Sequence, residues 1–441
     1  MAIAWHLLYC TNLTVAVVAW VPQHCVAAAD KVTHSLYARS KELTFDLVLG
    51  VVVGVVGGGV AYAFLRTLNW VNATRNDNDR LIYFLPLAGL AIGLTYHRFG
   101  ERTAHGSNLV LEEIHEPGAG VPRRMAPMVF LATAISHLFG ASTGREGSGI
   151  QIIASISDGI ARPFSPSTET RKLLLIAAIS AAIGGLFGAP VGGMLFALEV
   201  QENGRIRYET MLPALIAGVI SYEIVNNLAV EHLVTGHLLQ TNLSGSLSWK
   251  LVLLSSVCSA LAIVFIQLTH FVHRAARSLI KWQPLRPVVG GCIVLFLVLV
   301  SGTRDYLGLS AHLAEGAFAG AVGIAVGAFA WKLVFTSVSL GTGFIGGEMV
   351  PLFIIGALAG AQTGRLLNAS IPLFAAIGMM ATFAAASNTP IACTVIGIEL
   401  FGAGALLPLA FTCVLAYMLS GHRGIYHSQK HALMTRSSRL R

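Results

Sequence analysis

One carboxylate in this chain sits where an anion would bind. In Gly144-Arg145-Glu146-Gly147-Ser148-Gly149-Ile150-Gln151, glycines bracket a single glutamate and an apolar run follows at once. Glycine permits close backbone approach, and the apolar run reads as a helix beginning here. A helix start presents unpaired N–H groups and a partial positive charge, which together attract an anion. Glu146 is a tethered anion able to fill that position itself. Once protonated it loses the attraction and can swing aside, so one carboxyl would serve as gate and proton carrier. The plainer alternative is a glutamate that favours its own helix dipole. Between apolar segments, where ionisable groups are functional by default, gating is the stronger reading.

Three further segments share this shape. His105-Gly106-Ser107-Asn108 precedes Leu109-Val110-Leu111, which puts Ser107 and Asn108 where a helix cap belongs. Gly346-Gly347-Glu348-Met349-Val350-Pro351 leads into residues 352–359 and brings a second carboxylate. Gly424-Ile425-Tyr426 follows the last long apolar segment, and Tyr426 offers a hydroxyl. Each alone reads as a cap or a turn. Four of them together predict helix ends converging on one anion.

Elements that could hold such ends must live in lipid. The chain is 55% apolar and only 11% charged, with mean hydropathy +0.70; a soluble domain carries about 25% charged residues. Apolar stretches at 47–65, 81–96, 125–138, 173–186, 251–266, 288–300 and 403–419 reach or approach the ~20 residues a spanning helix needs. Many are short or broken by glycine. Broken helices are tolerated at membrane depth only where protein or a water-filled cavity covers the freed backbone, which points to a transporter or channel. The net charge of +8 does not indicate nucleic acid, because the basic residues lie in short connectors. Lys31, Arg39 and Lys41 form one group; Arg162, Arg171 and Lys172 a second; Arg274, Arg277, Lys281 and Arg286 a third. Arg423, Lys430, Arg436, Arg439 and Arg441 follow the last apolar segment. Excess Lys and Arg in short loops marks the cytoplasmic face, which places the C-terminus inside.

The chain also repeats itself. After Glu146 come Ala189-Pro190 and then Glu199; after Glu348 come Thr389-Pro390 and then Glu399. The separations are 202 for Glu146 to Glu348, 200 for Pro190 to Pro390, and 200 for Glu199 to Glu399. Three landmarks in order at one period mark an internal duplication, and transporters so built often carry their site between inverted repeats. The expected layout is a leader over 1–43, repeats at 44–228 and 249–425, and a basic tail over 426–441. The first 30 residues read as a membrane-associated leader or an over-long start.

These motifs, in this order, resemble the CLC family of chloride channels and proton-coupled anion antiporters, over about residues 44 to 428. The stretch from Gly144 to Gln151 is similar to the motif carrying that family's external gating glutamate, here Glu146, and Gly106-Ser107 to the start of the motif whose serine coordinates the central anion. The run from Phe187 through Pro190 to Phe196 resembles the family's helix-entry signature. Residues 347–351 lie where the family makes backbone anion contacts, and Tyr426 falls at the coordinating tyrosine. The resemblance therefore implies anion contacts from Ser107, Asn108, Gly147, Ser148, Gly347, Met349, Val350 and Tyr426. It also implies an all-α membrane fold of two inverted pseudo-symmetric halves, assembled as a homodimer with one pathway per subunit in a bacterial-type inner membrane.

Departures from the chloride pattern are specific. Asn108-Leu109-Val110 replaces glycine, isoleucine and proline; Met349 replaces phenylalanine; Val200 stands where chloride antiporters carry an internal proton glutamate. Together with Glu348 in its Gly-Gly-Glu setting, these resemble the fluoride-selective branch, in which the second-half glutamate takes part in coupling fluoride to protons. The chain departs from that branch at Ser107, commonly methionine or asparagine there, and at Val350, commonly threonine. Fluoride/proton antiport is the leading expectation, and a chloride channel or chloride/proton antiporter is the alternative.

The remaining motifs read as structure. Gly50, Gly54 and Gly58 form a helix-packing face, and His137 a hydrogen-bonded core residue. Glu199 and Glu399 are expected to face a partner or an aqueous end. Glu112, Glu113, His115 and Glu116 lack metal-binding spacing, and the six cysteines show no CxxC, so no metal or cofactor is expected. A membrane-embedded enzyme finds no HExxH, GxSxG or paired aspartates in support.

Overall fold

The computed structural model describes residues 23–203, 208–229, 241, 243–320, 326–421 and 423–431. Of the segments read above, residues 1–22 and the tail beyond 431 lie outside the described residues. Residues 1–49 and 50–441 form two compact units, and the candidate site lies within the second.

Sixteen α-helices are present among the described residues. Five helical segments are long and apolar enough to cross a bilayer: Lys41–Asp77, Thr168–Phe187, Tyr208–Asn227, Gly245–Leu279 and Met349–Leu366. The boundary expected at 43/44 falls inside the first helix, α1 (Gln23–Asp77). The stretch at 81–96 divides into a 3-10 turn and α2 (Leu85–Phe99). Next come α3 (Ser107–His115), α4 (Met125–Leu138), α5 (Glu146–Ala161), α6 (Thr168–Phe187), α7 (Pro190–Glu199) and α8 (Met211–Asn227). The second half runs through α9 (Gly245–Leu279), α10 (Leu285–Ser301), α11 (Ala311–Phe318), α12 (Ala328–Thr342), α13 (Met349–Leu366), α14 (Ile371–Ser387), α15 (Pro390–Phe401) and α16 (Leu406–Leu419). One short parallel pairing, β1 (Glu202–Asn203) with β2 (Lys430–His431), ties the chain end back to the first half.

Local chemistry explains the breaks. Ser167 caps α6 by accepting the Thr170 N–H at 3.1 Å. Gly188 then ends that helix in the left-handed region, and Pro190 opens α7 at a position where its missing N–H costs nothing. The second half repeats the device with left-handed Asn388 and Pro390. Gly50, Gly54 and Gly58 lie against Ile216, Ile220 and Ile224 of α8, where an added Cβ would come within 2.9 Å of a side-chain carbon. They form a packing face. Large apolar side chains such as Trp70, Leu87, Leu131, Phe296 and Leu299 remain exposed, as a surface against hydrocarbon allows.

Glu199 and Glu399 each reach a helix start in the opposite half of the chain. Glu199 accepts the N–H groups of Ile391 (3.1 Å) and Ala392 (2.7 Å) at the start of α15. Glu399 accepts those of Val191 (2.9 Å) and Gly192 (2.7 Å) at the start of α7. Each helix places its C-terminal carboxylate on the other's orphan donors, where the dipole favours negative charge. This reciprocity, between residues 200 apart, is what a local two-fold axis relating the two halves requires.

Candidate functional site

The starts of α5 and α13 are joined backbone to backbone. Gly144 N donates to Gly347 O at 2.7 Å and Gly347 N returns the bond to Gly144 O at 2.8 Å, forming a single antiparallel bridge. A Cβ at Gly347 would lie 2.7 Å from the Gly147 nitrogen, so any side chain would force the two helix starts apart. On Gly147 the position of a Cβ lies 3.5 Å from Ser107 Oγ. Ser107 Oγ itself donates to Gly147 O at 3.3 Å and accepts from Gln151 Nε2 at 3.2 Å. Three glycine-flanked helix starts therefore meet, two carrying a glutamate and one a serine.

Glu146 is the first residue of α5 and is wholly buried. Its carboxylate folds back over the helix start, accepting Arg145 Nε at 3.0 Å and the Arg145 backbone N–H at 3.2 Å. Arg145 is itself buried, and its Nη2 has no hydrogen-bond partner. It lines a cavity of about 680 Å³ shared with Arg75, Arg304, Ser310 and His312. Behind this wall Lys332 is fully buried. Its ammonium group meets Ser142 Oγ, Ser310 Oγ and the Tyr306 and Gly308 carbonyls at 2.7–3.2 Å. His137 Nε2 lies 3.4 Å from Gly144 O, and Arg75 donates to the His137 carbonyl at 3.0 Å. His137 thus supports the bridge from beneath.

Glu348 differs from Glu146. It precedes α13 as the N-cap residue, but its side chain caps nothing. Among the described residues no hydrogen bond or ion pair holds its carboxylate. Met349 and Val350 follow, buried in the first turn. Tyr426 lies within electrostatic reach of both carboxylates. Its ring meets the edge of Phe196 at 6.3 Å, and Phe196, Phe383, Phe353 and Phe187 continue a run of rings 5.1–5.9 Å apart. Ser148 turns away, sharing a hydrogen bond with Thr133 Oγ1 at 2.8 Å.

Comparisons with known proteins identify the family. The family model for the voltage gated chloride channel matches residues 88–421, taking in all three helix starts, both glutamates and the clasp. The chain belongs to that family. It is 37% identical over 390 residues to a chloride/fluoride channel protein of Pseudomonas syringae pv. tomato, covering 87% of this chain and 86% of the relative. It is similar to a solved CLC-type fluoride/proton antiporter, with a TM-score of 0.85, 29% identity, and coverage of 88% of this chain and 98% of that one. A slow cyanobacterial Cl⁻/H⁺ antiporter shares the fold at a TM-score of 0.73 and 20% identity, over 90% of this chain and 97% of that one. As a member of this family the chain is an integral membrane protein.

Two expectations about this family member's site need correction. Ser107 and Asn108 do not cap α3. Gly106 is the N-cap, at φ 62° and ψ −140°, a conformation open essentially to glycine alone. Ser107 and Asn108 occupy the first turn, and Asn108 Oδ1 accepts the Ser428 N–H at 3.2 Å. Tyr426 does not open a fourth helix among the described residues. It sits in an irregular segment held by Ile425 N donating to Ala386 O at 2.9 Å and by Gln429 pairing with Asn388 and Ser387. Arg75, Lys332 and the run of phenylalanines were not singled out beforehand. Arg75 lies among polar residues at the end of α1 and the phenylalanines within apolar helices, and only the isolated charge of Lys332 within residues 328–342 could have drawn notice.

Proposed function

We propose that this chain exchanges fluoride for protons across a membrane, with Glu146 as gate and proton carrier and Glu348 as the coupling carboxyl. The carrying observation is the asymmetry of two glutamates on bridged helix starts: Glu146 is paired with Arg145, while among the described residues no hydrogen bond or ion pair holds Glu348. A carboxylate drawn out of water without a partner is costly, and Glu348 stands half-buried at the start of α13. Protonation, or an ion and a proton arriving together, would relieve that cost. Ser107, Asn108, Gly147, Ser148, Gly347, Met349, Val350 and Tyr426 would supply the anion's contacts, mostly through the backbone. Support comes also from the relative described as a chloride/fluoride channel protein and the neighbour described as a fluoride/proton antiporter. No covalent chemistry is involved, and family members of this kind move ions rather than transform substrates.

The same reading takes residues 44–228 and 249–425 as repeats inverted across the bilayer. It puts the C-terminal tail in the cytoplasm, the protein in a bacterial inner membrane, and the chain in a homodimer with one pathway per subunit. Ser107 favours the chloride alternative, because its hydroxyl stands at a helix start as in the chloride branch. Proteoliposomes loaded with fluoride or chloride, read with ion-selective and pH electrodes together, distinguish these. A fluoride gradient should drive protons uphill, and chloride should do so far less. Fluoride efflux without proton movement would point to a channel, and equal coupling to chloride would replace the substrate.

A further inference from the structure

One pair of side chains belongs to neither the anion route nor the scaffold. His270 lies on α9 and His427 immediately follows Tyr426, and their Nε2 atoms are 3.0 Å apart. The ring planes are inclined at 29° with centroids 4.7 Å apart, a stacked arrangement, and the two Nε2 atoms make the polar contact between them. At that separation both nitrogens cannot carry a proton without repulsion, and at least one lone pair faces the gap. Two imidazole nitrogens bound at about 2.0–2.1 Å to one tetrahedral zinc lie roughly 3.3–3.4 Å apart, so each ring need retreat only about 0.2 Å to admit the ion. His427 is exposed and His270 half-buried, so an ion can reach the gap from solvent.

We propose that His270 and His427 form a binding site for a divalent transition metal such as zinc or nickel. Imidazole pairs suit these ions, whereas magnesium and calcium demand oxygen. Among the described residues no third His, Cys, Asp or Glu joins them, which leaves open positions for water or a small anion. Arg274, one turn further along α9, opposes the cation and keeps its binding weak enough to reverse. The site is therefore a regulatory or inhibitory one and not a structural zinc.

Its position gives it a consequence. The chain just after Tyr426 is already fastened on one side: Ser428 N donates to Asn108 Oδ1 at 3.2 Å, and Ser428 Oγ to Glu112 Oε1 at 3.1 Å, both on α3. A metal on His427 and His270 fastens it to α9 on the other side. Tyr426 would then be held between Ile425, whose N–H donates to Ala386 O at 2.9 Å, and a metal-bound His427, and ion exchange past its hydroxyl would slow. This second step rests on the transport reading above; the metal site does not.

Two arms test the proposal separately. Tag-free purified protein is titrated with NiCl2 and with ZnCl2 by calorimetry, with MgCl2 as control. One equivalent per chain should bind in the wild type. Outer-shell partners of metal-bound histidines alone are worth about 10- to 100-fold in affinity, so losing a ligand in His270→Gln or His427→Gln should weaken binding by at least roughly tenfold. His270→Asn and His427→Ala serve if a first variant elutes as aggregate. Unchanged nickel binding in both histidine variants would overturn the site, whichever ion the protein carries. In the second arm nickel is placed on both sides of proteoliposomes; flux should fall several-fold in the wild type and persist in both variants. Binding that needs both histidines without slowing flux would overturn the clamp on Tyr426.

Discussion

The duplication is kept at one place in this molecule and broken at another. At the clasp, Glu199 and Glu399 do the same thing in mirror order, each closing two N–H groups of the other half at 2.7–3.1 Å. At the bridge, Gly144 and Gly347 are again equivalent, but the glutamates beside them are not. Glu146 opens α5 and is paired with Arg145, whereas Glu348 stands before α13 with no hydrogen bond or ion pair among the described residues. Scaffold asks the same of both halves, so it preserves the repeat. On the proposed reading a transport cycle needs one group to open the route and another to couple it, and that division of labour would break the repeat.

The largest effect that would test this contrast is at Glu146. If its carboxylate competes with the transported anion for N–H groups at the helix start, wild-type flux should rise as pH falls and the carboxylate is neutralised. Glu146→Gln should keep anion flux, flatten that pH dependence and abolish proton pumping by a fluoride gradient. Intact pumping would move the gate elsewhere. Next in size are the two clasp variants, which ought to match each other. Glu199→Ala and Glu399→Ala each remove two hydrogen bonds to a charged acceptor, on the order of 3 kcal/mol, and each should lower the unfolding temperature in detergent. The protein that survives should keep its fluoride-to-proton ratio; a changed ratio in only one of them would show that the clasp too has been divided by function.

Glu348→Gln should be milder for stability, since no ion pair is lost. Its signature is a folded protein with lost proton coupling or lost fluoride preference. Wild-type transport would reduce Glu348 to a residue near a helix dipole. The smallest effect is expected at α3. Replacing Asn108-Leu109-Val110 by Gly-Ile-Pro should raise chloride flux relative to fluoride, and should loosen Ser428 as well, because Asn108 Oδ1 holds its N–H. A selectivity ratio that stays fixed would remove this segment from the filter.

Much of this was legible in the sequence, for physical reasons that also explain the gaps. The period of 200 residues stood out because its landmarks, Pro190 and Pro390 among them, have side chains that dictate backbone. The starts of α5 and α13 were legible for the same reason, glycine before an apolar run. The capping role given to Ser107 failed because residue type at a helix start fits several positions, and the positive φ of Gly106 decides which. The roles of Glu199 and Glu399 were hidden because their partners are backbone N–H groups, which every residue possesses. Lys332 and Arg75 reach the bridge from distant helices, and His270 finds His427 across 157 residues. Such pairings have no spacing to read.

The clasp also limits how the protein can move. Because α7 and α15 are fastened at both ends in antiparallel fashion, sliding one past the other forfeits four bonds to carboxylates together. Even at about 1.5 kcal/mol each, the loss is on the order of 6 kcal/mol, which holds a slid state below about one molecule in ten thousand. A cycle that rocked one half against the other along this seam would spend most of its time waiting for that rare state. On the proposed reading, turnover would fall to motions small enough to leave the seam closed: the swing of a glutamate, the turn of a tyrosine, a shift of the short segment behind it.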